Sequence, residues 1–200
     1  MTWMLTATGS VVDLAFIEAA TIDILDIAQH LSQINRYCGA CSRPYSVAEH
    51  SLFVCEIMEH TGVRDPGALL AGLMHDAHEA YTQDLSPMMK RLIGDRWLET
   101  EQRIDYAVHA RFNLLQEAEA WARQIKHADM VALSTERVQL LPEAGPAWPC
   151  LQTHPPVTWR NFNDSAKFTW LDWRQAFLDR FEELRFARKT RTDRGLGMLQ

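Results

Sequence analysis

The stretch Asp65-Pro66-Gly67-Ala68-Leu69-Leu70-Ala71-Gly72-Leu73-Met74-His75-Asp76-Ala77-His78-Glu79-Ala80 decides how this chain folds. Asp65 has the short acceptor side chain of a helix N-cap, and Pro66 has the fixed φ that suits a first helical position. A helix is therefore predicted from Pro66 to about Ala80. Its body, Ala68 to Met74, is apolar, and its far end is a cluster of histidines and acids. That apolar run is far too short to span a bilayer.

Helical signals continue on both sides. Upstream, Ile24, Ile27, Ala28, Leu31 and Ile34 recur at the i, i+3, i+4, i+7 spacing of one helix face. Arg36 to Tyr45, with Gly39 and Pro44, reads as a loop. Ser46-Val47-Ala48-Glu49 is a capping box that opens a helix with the stripe Val47, Val54, Ile57 and Met58, ending near Gly62. Downstream, Pro87 starts a short helix to Ile93. Longer helical patterns cover Asp95 to Phe112 and Gln116 to Leu141, the second stopped by Pro142. Residues 142–163 hold five of the eight prolines and read as a long irregular loop. A last helix, Asp164 to Arg188, carries Trp170, Trp173, Phe177, Phe181 and Leu184 at helical spacing. Only Trp3 to Phe16, around Thr8-Gly9-Ser10, suggests strands, as a short hairpin. The expected fold is all-α, a helical bundle with an N-terminal β-hairpin. One domain is expected over residues 1–200, with its core at 21–141, the loop at 142–163, a C-terminal helix at 164–188 and a tail at 189–200.

With 200 residues, 47% hydrophobic and 23% charged, the chain has the composition of a globular domain and not of a disordered or collagenous one. The net charge of −6 conceals a basic segment, Arg185 to Arg194, at +4, so the remainder carries −10. An acidic body argues against broad nucleic-acid binding, which depends on neutralising phosphates. No basic n-region precedes an apolar stretch, and four cysteines without an export signal point to a reducing, cytoplasmic setting. The chain lacks a P-loop, a G-x-S-x-G elbow and a G-x-G-x-x-G turn, so kinase, serine-hydrolase and dinucleotide readings have no support.

The informative polar residues are those placed on apolar stripes. His50 follows Val47 by three residues and precedes Val54 by four. Asp129 follows Ile125 by four and precedes Ala132 by three. Between them comes His75-Asp76. Buried carboxylates are costly unless paired or bound to a cation. Two histidines and two carboxylates turned inward from separate helices offer an N/N/O/O set for one divalent ion. Mn, Co, Fe or Zn suits that mixture, and Mg is compatible with it. Glu79 lies three residues after Asp76 and four after His75, on the same predicted face, where it can exchange a proton beside such an ion. Cys38-Gly39-Ala40-Cys41 is a C-x-x-C, but it lacks the βαβ context of a redox motif and the two further ligands of a structural zinc.

His50, His75-Asp76 and Asp129 together resemble the H…HD…D pattern of the HD-domain metal-dependent phosphohydrolases. The likeness is nearest to the YfbR-type 5′-deoxynucleotidases. It is carried by Ile34-Asn35-Arg36-Tyr37, Ser46 to Leu52, His75 to Tyr81 followed by Asp84-Leu85-Ser86-Pro87 and Lys90, and Lys126-His127-Ala128-Asp129. Phage dATP triphosphohydrolases share the architecture. The likeness covers roughly residues 21–135.

The resemblance implies a divalent metal (Co, Mn, Zn or Mg) on His50, His75, Asp76 and Asp129, with Glu79 as catalytic acid or base. It also implies phosphate contact by Arg36 and Lys90, a nucleoside pocket lined by Tyr37, where that group usually carries Trp, and a sugar contact from Asp84. The function so implied is hydrolysis of deoxynucleoside monophosphates, with triphosphohydrolysis as the alternative and a non-catalytic nucleotide sensor as the reading from another class. Glu79 weighs against the sensor, which needs no proton carrier. The implied partners are a small nucleotide and further copies of the chain in a homo-oligomer, with neither membrane nor stable nucleic-acid contact.

Overall fold

The structure is a computed structural model that describes residues 2–197, with side chains through residue 191. The two strands, β1 (Trp3–Leu5) and β2 (Val11–Asp13), pair antiparallel with Met4 opposite Val12. Their turn is tied to the first helix, α1 (Ile24–Gln33), because the buried Asp26 carboxylate accepts from Thr8 N at 2.7 Å and Thr8 Oγ1 at 2.9 Å. Everything else with regular structure is helical, so the fold is all-α with an N-terminal hairpin.

α2 (Val47–His60) begins at Ser46, whose hydroxyl accepts from Glu49 N at 3.2 Å, as the capping box requires. α3 (Pro66–Leu73) begins at Asp65, whose carboxylate accepts from Ala68 N at 3.0 Å. Every residue of α3 from Gly67 to Leu73 is buried, because α2 and the last helix, α10 (Trp170–Gly197), pack against it. α10 also packs on α1, and α2 packs on α8 (Ala122–Gln139). One apolar cluster runs through these helices, with Phe53, Met58, Leu70, Leu73 and Phe177 fully enclosed. Between α3 and α8 lie α4 (Glu79–Thr82), α5 (Pro87–Ile93), α6 (Asp95–Arg111) and α7 (Leu115–Ala120).

The structure corrects four boundaries. The helix expected to reach Ala80 stops at Leu73, and residues 74–78 form tight i, i+3 turns before α4. At the stop, His75 Nδ1 donates to the Gly72 carbonyl at 2.9 Å and so occupies an acceptor at the end of the helix. The pattern expected over 116–141 breaks at Trp121 into α7 and α8. The C-terminal helix starts at Trp170 and not Asp164, with Thr169 donating through N and Oγ1 to Asp172 at 2.7 Å. It also continues past Arg188 to Gly197, where a tail was expected. Its basic end is held by ion pairs to Glu117 from Arg188 at 2.6 Å and to Asp65 from Arg191. Residues 198–200 of the expected tail lie outside the described residues. The proline-rich loop contains one short helix, α9 (Cys150–Thr153), packed on α8.

Candidate metal centre

Three elements deliver the site. A single bridge between Asn35 and Ser46 closes the loop before α2, and Arg36 N donates to Tyr45 O at 2.8 Å. That closure sets Arg36 beside the first turn of α2, where His50 points into the interior and is wholly buried. The turns after α3 present His75 and Asp76, and α8 presents Asp129. On a continuous helix the neighbours His75 and Asp76 would diverge by about 100°. Because the chain leaves the helix at Leu73, they converge, with His75 Nε2 3.1 Å from Asp76 Oδ2.

His50 Nε2 lies 3.5 Å from Asp76 Oδ2 and 3.5 Å from Asp129 Oδ1. The ligand atoms of His50, His75 and Asp76 all lie within 4.8 Å of one another, a group that could hold a metal ion. Asp129 joins through Oδ1 on His50, while its Oδ2 accepts from Lys126 Nζ at 2.7 Å. Three of the four residues expected as ligands thus form one group, and Asp129 meets it at His50.

The imidazoles fit a cation for a stated reason. His50 Nδ1 donates to Glu136 Oε1 at 2.6 Å, and His75 Nδ1 donates to Gly72 O at 2.9 Å. Both acceptors lack a proton to give, so in each neutral ring the lone pair sits on Nε2. Both Nε2 atoms are buried and make no hydrogen bond. Burial and Arg36 push the His50 imidazole down, but Glu136, Asp129 and Asp76 outweigh them and hold it well above its ordinary range, so the site favours positive charge at Nε2. A divalent ion with N/O preference supplies it, and an outer acceptor on each Nδ1 is the usual support of a metal-bound histidine. Burial pushes the Asp76 carboxyl up, but the His75 and His50 imidazoles beside it hold it well below its ordinary range.

Glu79 opens α4 next to this group. Burial pushes its carboxyl well up, and the charges of Asp76 and Asp84 push it further. Its Oε2 is buried without a hydrogen-bond partner. Arg36 places Nη1 3.8 Å from Asp76 Oδ2, while Nε and Nη2 donate to Glu136 at 3.3 and 3.2 Å. Tyr37 turns its hydroxyl onto Glu136 and its ring toward Trp148, and it lies beside Arg36. Asp84 is half-buried, with its carboxyl pushed up by burial and drawn down by Arg36. The structure does not place Lys90 as a free phosphate contact. Its ammonium is 2.5 Å from Glu101, which also takes His78 Nε2 at 3.3 Å. Cys38 and Cys41 are free thiols outside the ligand group.

Glu136 is the functional residue that the sequence reading missed. It is wholly buried on α8 and accepts from His50, Tyr45, Tyr37 and Arg36. Burial pushes its carboxyl up, and Arg36 and His50 bring it down to about 2, so it is ionised. Its signal was spacing: seven residues after Asp129, on the stripe that includes Ile125 and Ala132. A cleft of about 290 Å³, lined by Ala71, His75, Asp76, Asp105, His109 and Asp129 among others, opens beside the ligands. A larger groove of about 1070 Å³, between α3, α6 and α10, contains none of these site residues.

The fold and site define an all-α protein with a buried His/His/Asp group able to hold a cation. No family model matches the chain. It is 33% identical over 168 residues to the uncharacterized protein YfdR of Escherichia coli, an alignment covering 84% of this chain and 87% of that one. It is 36% identical over 145 residues to the uncharacterized protein RCAP_rcc00048 of Rhodobacter capsulatus, covering 69% of this chain and 72% of that one. The chain therefore belongs to the family of YfdR. No described helix is long and apolar enough to cross a membrane.

Proposed function

We propose that the chain is a divalent-metal-dependent phosphohydrolase of the HD-domain type acting on deoxynucleotides, with deoxynucleoside 5′-monophosphates as the preferred substrates. The observation that carries this reading is the convergence of the unpartnered His50 and His75 Nε2 atoms on Asp76, with the buried Oε2 of Glu79 alongside. His50, His75, Asp76 and Asp129 would hold the ion. When bound, the ion supplies Lewis acidity toward a phosphate ester and the water that attacks it.

The chain's own residues do the rest. Arg36 brings the guanidinium nearest to Asp76 and offsets phosphate charge in an otherwise acidic surrounding. Glu79, whose carboxyl is pushed up by burial and by Asp76 and Asp84, would give its proton to the leaving 5′-oxygen as the phosphorus–oxygen bond breaks. Water provides the oxygen that stays on phosphate, and its released proton restores Glu79. The products are a deoxynucleoside and orthophosphate. In this reading the protein works on a small molecule in the cytoplasm and as a homo-oligomer.

The test is release of orthophosphate from a panel of deoxy- and ribonucleoside monophosphates with Mn, Co, Zn and Mg. Triphosphate chains released from deoxynucleoside triphosphates instead would establish the triphosphohydrolase alternative. Glu79→Gln is expected to retain metal while losing about 100- to 10,000-fold in turnover. Nucleotide binding without turnover under any metal would leave the sensor.

A further inference from the structure

The proline-rich loop delivers an aromatic ring to the edge of the site. Trp148 is half-buried and, among the described residues, stands outside the apolar core cluster. It is nonetheless held from two directions. The Arg137 guanidinium lies over its ring at 5.5 Å, and that same guanidinium donates to Pro142 O at 2.8 Å and Ala144 O at 2.9 Å. Arg137 thereby pins the loop and backs the indole at once. Trp148 also meets Tyr37, with ring centroids 6.1 Å apart and planes inclined by 45°.

Tyr37 is also constrained beyond what packing needs. Its backbone sits at φ 56°, a left-handed conformation unfavourable for a side-chain-bearing residue, and its hydroxyl is bound to the buried Glu136. Its ring lies 5.3 Å from the Arg36 guanidinium, which in turn reaches Asp76. A row of contacts thus leads from Asp76 through Arg36 and Tyr37 to Trp148, from a candidate metal-ligand carboxylate to a half-buried indole. A ligand suited to that row has an anionic group at one end and a flat, weakly polar ring at the other.

We propose that Trp148, aligned by Arg137 and Tyr37, is a specificity-determining residue whose indole stacks on the nucleobase of the substrate. This inference rests on the phosphohydrolase reading for the position of the phosphate. It assigns the loop, residues 142–149, the task of selecting for a base.

The experiment compares wild-type protein, Trp148→Ala and Trp148→Phe on deoxyadenosine monophosphate and on deoxyribose 5-phosphate, which has the phosphate and sugar but no base. Loss of a base–aromatic stack is expected to raise KM for the nucleotide about tenfold in Trp148→Ala. Its kcat should stay within about twofold, and KM for deoxyribose 5-phosphate should not change. Trp148→Phe should recover most of the nucleotide KM. Circular dichroism and metal content of the variants exclude a general loss of fold. Equal KM changes for both phosphates, or none for either, would overturn the proposal while leaving the phosphohydrolase reading intact. If wild-type protein hydrolyses neither compound with any metal, that reading falls. Equilibrium dialysis of the same two compounds against wild type and Trp148→Ala then decides the stacking role, since no difference in nucleotide affinity would overturn it.

Discussion

His50 donates from Nδ1 to the carboxylate of Glu136 at 2.6 Å, across 86 residues of chain. The same carboxylate accepts from Tyr45 at 2.9 Å and from Arg36 at 3.2 Å, so one buried acid orients both a candidate metal ligand and a candidate phosphate contact. Glu136→Gln keeps the shape and removes the charge. Breaking a buried ion pair by removing one partner costs about 3–5 kcal/mol, and loss of the acceptor behind a ligating histidine lowers metal affinity about 10- to 100-fold. Urea unfolding of the apo-protein reads the first effect and metal titration the second. Unchanged values in both would show that Glu136 is only a space-filling acceptor.

Bound metal should stabilise the fold. Asp76 and Asp129 stand 3.5 Å from the same nitrogen of His50, and a bound ion would take the place of the proton they favour there. A ligand at a hundred times its Kd that binds only the folded state adds about 2.7 kcal/mol. For a chain of this length that is a rise in Tm of about 5–10 °C. Thermal denaturation with Mn, Co or Zn, and again after chelation, measures it. His75→Ala should abolish the rise, and an equal rise in that variant would place the bound ion elsewhere.

Much of this architecture is legible because its causes are local. Ser46, Asp65 and Pro66 act on residues within one turn, and each starts its helix as the sequence indicates. His50 and Asp129 were detectable because a polar residue on an apolar stripe breaks a period. The end of α3 was not, since it depends on which acceptor the His75 side chain takes, and nothing in Met74-His75-Asp76 states that choice. Glu136 was hidden for a related reason. Its partners His50 and Arg36 are 86 and 100 residues away, so its role exists only once α2 and α8 pack. The break at Trp121 has neither proline nor glycine to announce it. The basic end of α10 read as tail because its partners, Asp65 and Glu117, lie on other helices.

Gly72 sets the distance between α2, which carries His50, and α3, whose following turns carry His75. A Cβ there would stand 2.3 Å from Met58 Sδ on α2. Alanine is the better helix former by about 1 kcal/mol, but overpacking a filled core costs about 1–3 kcal/mol. Gly72→Ala is therefore expected to lose stability despite its propensity. Because the Gly72 carbonyl anchors His75 Nδ1, metal affinity should fall with it. Combining it with Met58→Ala should cost less than the sum of the single changes, since the second opens the space the first needs. Denaturant unfolding of the four proteins gives the coupling, and strict additivity would show that α2 and α3 shift apart freely.

Cys41 offers a titration that can be followed without any substrate. Burial, reinforced by the negative charge of Glu136, pushes its thiol up to about 11. The thiolate is the reactive form, so with a pKa raised to that level the neutral, inert thiol persists through neutral pH. At pH 8 only about one molecule in a thousand carries thiolate there, and that fraction grows about tenfold per pH unit until it levels near 11. Cys55 is pushed to about 11 by burial as well, and at 1% exposure it must also wait for the core to open. The exposed Cys38 faces no such barrier of access. Alkylation with iodoacetamide from pH 7 to 10, followed peptide by peptide by mass spectrometry, should therefore label Cys38 first. Cys41 should follow with a slope near one decade per pH unit, and Cys55 last. Labelling of Cys41 that is fast and flat across this range would mean that its thiol is not held up by burial and the Glu136 charge as described.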